Sequence, residues 1–293
     1  MAQCTQCGRQ ISGLTFGRKI CVWCKQHEAA QRGEEVKYRP MAAPWQRSDA
    51  MPMLVMQAIF AINIAVFIGM TLSGASPLGP SGQTLLDWGA NVGPYTLGGQ
   101  PWRLLTSVFV HIGFLHLAFN LWCLWSLGEL AERLYGHVTF ACIYLLCGIA
   151  GSLGSVWWHT FPALSAGASG AIFGIAGAVI ASIKLGEFSA HALPRSIMQS
   201  LIFFVGFNVV FGAISGITDN ACHIGGLAAG VLLGGLIAKF APEARPAPRL
   251  VILALVAALL AGGFFALRRG YLYRVMHSVG QIENMVDEEG EQQ

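Results

Sequence analysis

The sequence predicts an all-α polytopic membrane protein with seven candidate transmembrane helices, preceded by a small Cys4 module. Three observations predict it. Apolar residues make up 54% of the 293 residues and charged residues only 11%, against roughly 25% charged in soluble domains. Seven stretches approach or exceed the ~20 apolar residues that a bilayer core demands. The charge sits at the two ends: residues 1–50 hold eight of the 18 Lys/Arg, and the last dozen residues hold five of the 15 acids. The nearly uncharged middle is what lipid-facing segments need. A net charge of +3, spread over loops, argues against a nucleic-acid partner.

The N-terminal module comes first. Cys4-x-x-Cys7 and Cys21-x-x-Cys24 are two CxxC knuckles with thirteen residues between them. CxxC lets two sulfurs reach one ion from a tight turn, and four thiolates suit tetrahedral zinc. Gly8 follows the first knuckle, and Leu14, Phe16 and Ile20 supply apolar residues for a minimal strand pair. Disulfides or free thiols are the alternative. A reducing cytosol, where the topology below places the module, favours metal. A closed Cys4 site is structural, so Zn2+ here serves folding or docking to an unidentified partner, not catalysis.

No basic start followed by a short apolar run marks a cleavable signal, so the first long apolar run is expected to insert as an anchor. Residues 27–50, with Pro40 and Pro44, read as a linker. The spans then run approximately 51–73, 104–128, 138–158, 168–184, 196–216, 221–239 and 249–267. The fourth is short and rich in Gly and Ala, which suits the centre of a bundle. The domain reading is a ribbon at 1–26, a linker at 27–50, a core at 51–240, the seventh helix at 241–268 and a polar, acidic tail at 269–293. That tail reads as a short amphiphilic stretch followed by disorder.

Orientation follows from the basic residues. With the N-terminus inside, the inner segments hold fourteen Lys/Arg and the outer ones four. This bias puts the N-terminus in the cytoplasm and the C-terminus outside; the compact start, which does not read as a transit peptide, suggests a plasma (inner) membrane. The first outer loop, about 74–103, contains Trp88-Gly89-Ala90-Asn91 and Trp102-Arg103. Its tryptophans and glycines suggest a folded loop in the membrane interface.

Polar residues inside spans are expensive and point to function. His116 and Asn120, at i and i+4, share a face of the second span. Ser169 opens the fourth span within Gly167-Ala168-Ser169-Gly170, and His223 opens the sixth. All three spans run from outside to inside. His116 is then expected about two turns below the outer end, at a depth shared with Ser169 and His223. A serine hydroxyl needs a base, for which His223 is the candidate. Acyl transfer also needs donors for an oxyanion, which Asn120, His116 and the Ser169 backbone N–H can supply. Gly226-x-x-x-Gly230 and Gly170-x-x-x-Gly174 would let the sixth and fourth spans pack closely. Taken singly, each residue has a plainer reading: Ser169 as helix packing, either histidine as an interhelical bond, Asn120 as a clamp. Asp219, four residues before His223, fits an N-cap better than a catalytic acid. Cys222 fits packing better than nucleophilic attack.

The chain resembles the rhomboid intramembrane serine proteases. The resemblance rests on Trp102-Arg103, on His111, His116 and Asn120, and on Gly128-x-x-x-Glu132-x-x-x-Gly136. It also rests on Gly167-Ala168-Ser169-Gly170 and Ala221-Cys222-His223-Ile224-Gly225-Gly226. It covers about 51–240, implies a six-helix bundle there, and leaves out the cysteine module and the seventh, C-terminal transmembrane helix. It implies a Ser169–His223 dyad without a third acid and an oxyanion hole that includes His116 and Asn120. It implies no catalytic cofactor. The implied substrates are transmembrane helices of other proteins, cut near their outer end. Phe173 is expected against the His223 ring, and Glu132 and Arg133 in structural polar bonds or at a solvated helix end. A non-proteolytic homologue that binds transmembrane clients is the alternative; it predicts a lost serine or histidine, and both are present.

Overall fold

The computed structural model describes residues 2–7, 10–11, 20, 24, 27–28, 31–32, 52–159, 163–185, 195–216, 218–241 and 246–291. Among them are two short strands and ten helices. Strands β1 (Ala2–Gln3) and β2 (Gln10–Ile11) pair antiparallel, Ala2 opposite Ile11, and bracket the first cysteine knuckle. The strand pair thus lies before the apolar residues expected to form it. Of those, Leu14 and Phe16, like Gly8 and Cys21, lie outside the described residues.

The long helices are α1 (Leu54–Leu72), α5 (Phe114–Tyr135), α6 (His137–Trp158), α7 (Ser169–Leu185), α8 (Arg195–Ser215), α9 (Asn220–Phe240) and α10 (Pro246–Glu291). Three short ones, α2 (Gly82–Asp87), α3 (Gly93–Gly98) and α4 (Arg103–Thr106), fold the loop between α1 and α5. Five of the long helices are long and apolar enough to cross a membrane, and α7 is a shorter apolar helix. Their outward faces expose Ile62, Trp122, Phe203 and Leu255. Such a surface is stable against hydrocarbon, and the chain is an integral, multi-pass membrane protein.

Helix α7 is the axis of the bundle, with twelve of its 17 residues buried. Small residues explain how. A Cβ on Gly226 would strike the Gly170 carbonyl, one on Gly230 the Gly174 carbonyl, and one on Gly234 the Ala178 carbonyl. The two helices therefore touch backbone to backbone along a stripe of three turns. In lipid, where apolar side chains gain little by leaving one apolar medium for another, such close packing is what holds helices together.

The second span departs from expectation. It starts at Phe114 and ends at Tyr135 rather than covering 104–128. Residues 103–113 form α4 and an irregular turn ending at Gly113. Their apolar residues Leu104, Val108 and Val110 are buried in protein, and hydropathy does not distinguish that from lipid exposure. At the other end, Gly136 has φ +81° and separates α5 from α6 by one residue. Only glycine takes that angle cheaply, which accounts for the sharp reversal.

Glu132 is fully buried, and its carboxylate accepts from the Val55 N–H at 3.0 Å and the Met56 N–H at 2.8 Å. These are first-turn amides of α1 that have no intrahelical partner. His137 Nδ1 bonds the same carboxylate. The C-terminal end of the second span is thus held by polar bonds at Glu132, while Arg133 pairs with the half-exposed Glu129 at 2.7 Å.

Loop helices α2–α4 are organised by Arg103, which is 6% exposed. Its Nη1 donates to the Leu86 and Ala90 carbonyls at 2.7 and 2.9 Å, and its Nε to Gln100 Oε1 at 2.6 Å. The guanidinium also lies 4.6 Å from the Trp102 ring. The loop is folded, as its composition suggested.

Helix α10 differs from expectation at its far end. It continues without a break from Pro246 to Glu291, where a disordered tail was expected. Residues 270–291 contain no proline, and their four Glu and two Met favour helix against three Gly. Its 46 residues amount to about 69 Å at 1.5 Å per residue, more than a bilayer core. Arg249 holds its near end, donating to the Tyr135 carbonyl at 2.9 Å and the Ala241 carbonyl at 3.3 Å.

Candidate active site

Ser169 is the first residue of α7. The backbone that delivers it is fixed from three sides. Ser165 and Asn91 exchange N–H···O bonds of 2.9 Å in an isolated antiparallel bridge. The Gly167 N–H donates to the Ser107 carbonyl at 2.9 Å. The Ala168 N–H donates to His111 Nε2 at 3.4 Å. His111 can accept there because its Nδ1–H is given to the Phe109 carbonyl at 3.2 Å, which fixes the tautomer. Gly167 has φ +125°, and a Cβ there would collide with the His116 ring. Glycine is therefore needed at 167 twice over, for its angle and for its missing side chain.

His223 lies in the first turn of α9 and is 5% exposed. Its Nε2 is 2.9 Å from Ser169 Oγ. Phe173, one turn along α7 from Ser169, stacks on the imidazole with centroids 4.2 Å apart and planes 6° from parallel. Stacking and hydrogen bond together leave the ring one orientation. Asp219 is the N-cap of α9, accepting from the Cys222 N–H at 3.0 Å. His223 Nδ1 is buried and bonds no side chain among the described residues, so Asp219 does not complete a triad. Cys222 Sγ lies 2.7 Å from where a Gly170 Cβ would be, a packing role in the α6–α7–α9 contact.

His116 sits in the first turn of α5, not two turns below its end, because that helix begins at Phe114. The Ile112 N–H donates to its Nδ1 at 3.3 Å. With Nδ1 accepting, the neutral ring carries its proton on Nε2, the nitrogen beside Gly167. Asn120 lies one turn further on the same face, with Nδ2 donating to the His116 carbonyl at 2.9 Å. An amide NH2 has two hydrogens, so one remains for another acceptor.

The arrangement brings the first turns of α5, α7 and α9 together around Ser169. Each first turn exposes N–H groups without intrahelical partners and carries the positive end of a helix dipole. Beside the serine, a region lined by the His116 Nε2–H and by helix-terminal amides favours negative charge. A hydroxyl bonded to an imidazole, next to donors for an oxyanion, has the parts for acyl transfer. His111 and Asn91 hold the backbone before the serine, a task their residue types alone do not reveal; their burial does.

At the N-terminus, the sulfur atoms of Cys4, Cys7 and Cys24 all lie within 4.8 Å of one another. Cys21 lies outside the described residues. Cys4 and Cys24 Sγ are 3.8 Å apart. A tetrahedron with Zn–S bonds of about 2.3 Å has edges of about 3.75 Å, so this donor set fits the ion.

Residues 98–240 match the family described as Rhomboid domain. The chain is 38% identical over 225 residues to "Rhomboid protease GluP" of Bacillus subtilis (strain 168), covering 76% of this chain and 41% of that protein. It is 34% identical over 193 residues to "Rhomboid protease AarA" of Providencia stuartii, covering 59% of this chain and 68% of that one. It is 31% identical over 215 residues to "Rhomboid-like protease 1" of Toxoplasma gondii, covering 72% and 71%. The chain spans less than half the length of the Bacillus protein and about half that of several plant relatives.

Proposed function

The chain belongs to the rhomboid family, and on that premise we propose that it is an intramembrane serine endopeptidase that cuts transmembrane segments of other proteins near the outer face. The observation that carries this reading is the 2.9 Å contact between Ser169 Oγ and His223 Nε2 at the meeting of three helix N-termini. Ser169 Oγ attacks the scissile carbonyl carbon while His223 Nε2 takes its proton. The oxyanion receives hydrogen bonds from His116 Nε2–H, from the remaining Asn120 amide hydrogen and from the Ser169 backbone N–H. The imidazolium gives its proton to the leaving amine, and water then enters with His223 again as base. The dyad works without a carboxylate because Phe173 fixes the ring that an aspartate would otherwise orient.

The reading extends to domains and topology. Residues 51–240 form the protease core, 241–268 a seventh transmembrane helix and 269–293 a polar tail; 1–26 form the ribbon and 27–50 a linker. Fourteen basic residues against four support a cytoplasmic N-terminus and an outer C-terminus, in the plasma membrane that we propose as the location. Cys4, Cys7, Cys21 and Cys24 would hold a structural Zn2+, which would fix the fold of the ribbon and present it to a partner.

Incubating the purified protein in detergent or lipid with a model transmembrane substrate tests the enzyme. Cleavage is expected in the unaltered chain and lost in Ser169→Ala and His223→Ala. Cleavage that persists in either variant removes the dyad, and no cleavage in the unaltered chain favours a client-binding role. Bound zinc is expected to fall when Cys4 and Cys7 become Ser; unchanged metal content removes the Cys4 site.

A further inference from the structure

Asn91, in the Trp88-Gly89-Ala90-Asn91 run of the outer loop, is 1% exposed yet uses every polar atom it has. Its backbone pairs both ways with Ser165. Its Nδ2 donates to the Ser152 carbonyl of α6 at 2.9 Å. Its Oδ1 accepts from Thr96 Oγ1 at 2.7 Å, and Thr96 is fully buried in α3. The next residue, Leu97, takes a hydrogen bond on its carbonyl from Arg268 Nε of α10 at 3.2 Å. Leu97 and Leu104 also pack with Phe264 of α10 and Leu153 of α6. Hydrogen bonds and packing thus run unbroken from the seventh helix, through the outer loop, to Ser165, four residues before Ser169.

We infer that Asn91 and Thr96 form a latch that sets the position of Ser169 Oγ against His223, and that α10 steadies this latch from outside through Arg268. The inference rests on Ser169 being the nucleophile. A serine at the first position of a helix has no preceding turn to fix it, so the segment that enters the helix decides where the hydroxyl points. That segment is extended, and among the described residues its strand-like pairing is the bridge from Ser165 to Asn91. Asn91 and Thr96 are positioning residues: their side chains bond the Ser152 carbonyl and each other, and they act on Ser169 through the backbone of Ser165. The seventh helix, outside the six-helix core, thereby gains a role in the reaction.

Thr96→Val tests the latch, since it keeps the shape and removes the hydroxyl that Asn91 Oδ1 requires. Two rates are read in the full-length protein: cleavage of a model transmembrane substrate and acylation of Ser169 by a fluorophosphonate probe. Thr96→Val is expected to lower kcat and the labelling rate together by about tenfold, with KM within about twofold, the pattern of a displaced nucleophile. Thr96→Ser, which restores the donor, should return both rates to within about twofold of the original, and Arg268→Gln should lower both by about threefold. An unchanged labelling rate in Thr96→Val overturns the latch, as does a change confined to KM or a Thr96→Ser variant as slow as Thr96→Val. If the unaltered chain labels at Ser169 but cuts no transmembrane substrate, the protease reading fails while the labelling rates still judge the latch. If it labels and cuts but Thr96→Val is unaffected, the latch alone fails. No labelling of Ser169 in the unaltered chain overturns both.

Discussion

Helices α7 and α8 meet at Phe173, the ring that stacks on His223, and are held in opposite ways. α7 is almost wholly buried, and its glycines touch the glycines of α9 backbone to backbone. In α8 only 11% of the membrane-spanning window is buried. Its inward contacts are few: Leu201 is 2% exposed, and Phe204 tilts against Phe173 with centroids 5.4 Å apart. Phe173 is the hinge of the difference, since one ring meets both Phe204 and His223. Ser169 and His223 stand on a rigid wall, and the helix opposite is loosely attached. On the proposed reading, a site that needs hydroxyl and imidazole in fixed register, yet must admit a helix-sized substrate, is served by such an asymmetry.

The rigid side should break most severely. Gly230→Val places a Cβ where the Gly174 carbonyl already sits. The two helices must separate, and in a stripe of three close contacts the shift passes directly to Ser169 and His223. Cleavage is expected to fall by at least about 100-fold, the scale of an ångström-sized misplacement. The same variant should lose several degrees of thermal stability. Activity within twofold of the original would show that the wall is not rigid.

Next comes a polar support far from the site. Glu132→Ala strips the α1 amides of Val55 and Met56 of their acceptor and leaves His137 without its partner. Buried donors left unmade cost about 1–3 kcal/mol each, so a loss of about 2–4 kcal/mol is expected. Glu132→Gln, which keeps one acceptor oxygen, should lose about half as much. Denaturation in a fixed detergent reads both, and equal stability of the two variants would deny the capping role.

These two cases also show what can be read from residues alone. Glycine spacing on the fourth and sixth spans announces close packing because a missing side chain is a geometric fact wherever the helix lies. Ser169 and the Asp219 cap are legible because they stand at helix openings, which have chemical signatures, and His223 follows in the first turn after that cap. The start of α5 is not legible. Residues 104–113 are as apolar as a span but end at Gly113, and hydropathy alone does not separate a buried loop from a lipid-facing turn. The task of His111 is hidden for a related reason. It acts on a backbone amide 57 residues away, which no local pattern encodes. The end of α10 departs from expectation because an acidic composition suits both a solvated helix and a disordered tail.

Phe173 tests where the two sides join. Phe173→Leu keeps the volume of the core roughly intact but gives up the parallel stack on His223. The imidazole then turns more freely about the Ser169 hydrogen bond. A drop of about tenfold in kcat is expected, with stability lowered by no more than about 1.5 kcal/mol, the usual range for a conservative core exchange. A change in KM alone would assign Phe173 to substrate contact instead of base orientation.

The loose side should yield least. Phe203 and Ile214 of α8 are 69% and 82% exposed. In water, truncating such residues would remove an apolar liability; in lipid it exchanges one apolar surface for another. Phe203 also stacks on Phe207, which is itself exposed, so the contact is not tied to the core. Phe203→Ala and Ile214→Ala should therefore shift stability by less than about 0.5 kcal/mol, the ordinary range for surface changes. Cleavage rates should stay within about twofold, because neither side chain reaches Phe173 or His223 through a buried neighbour. A loss as large as that of Gly230→Val would mean that α8 is held by a surface not seen in the single chain, and the asymmetry around His223 would disappear.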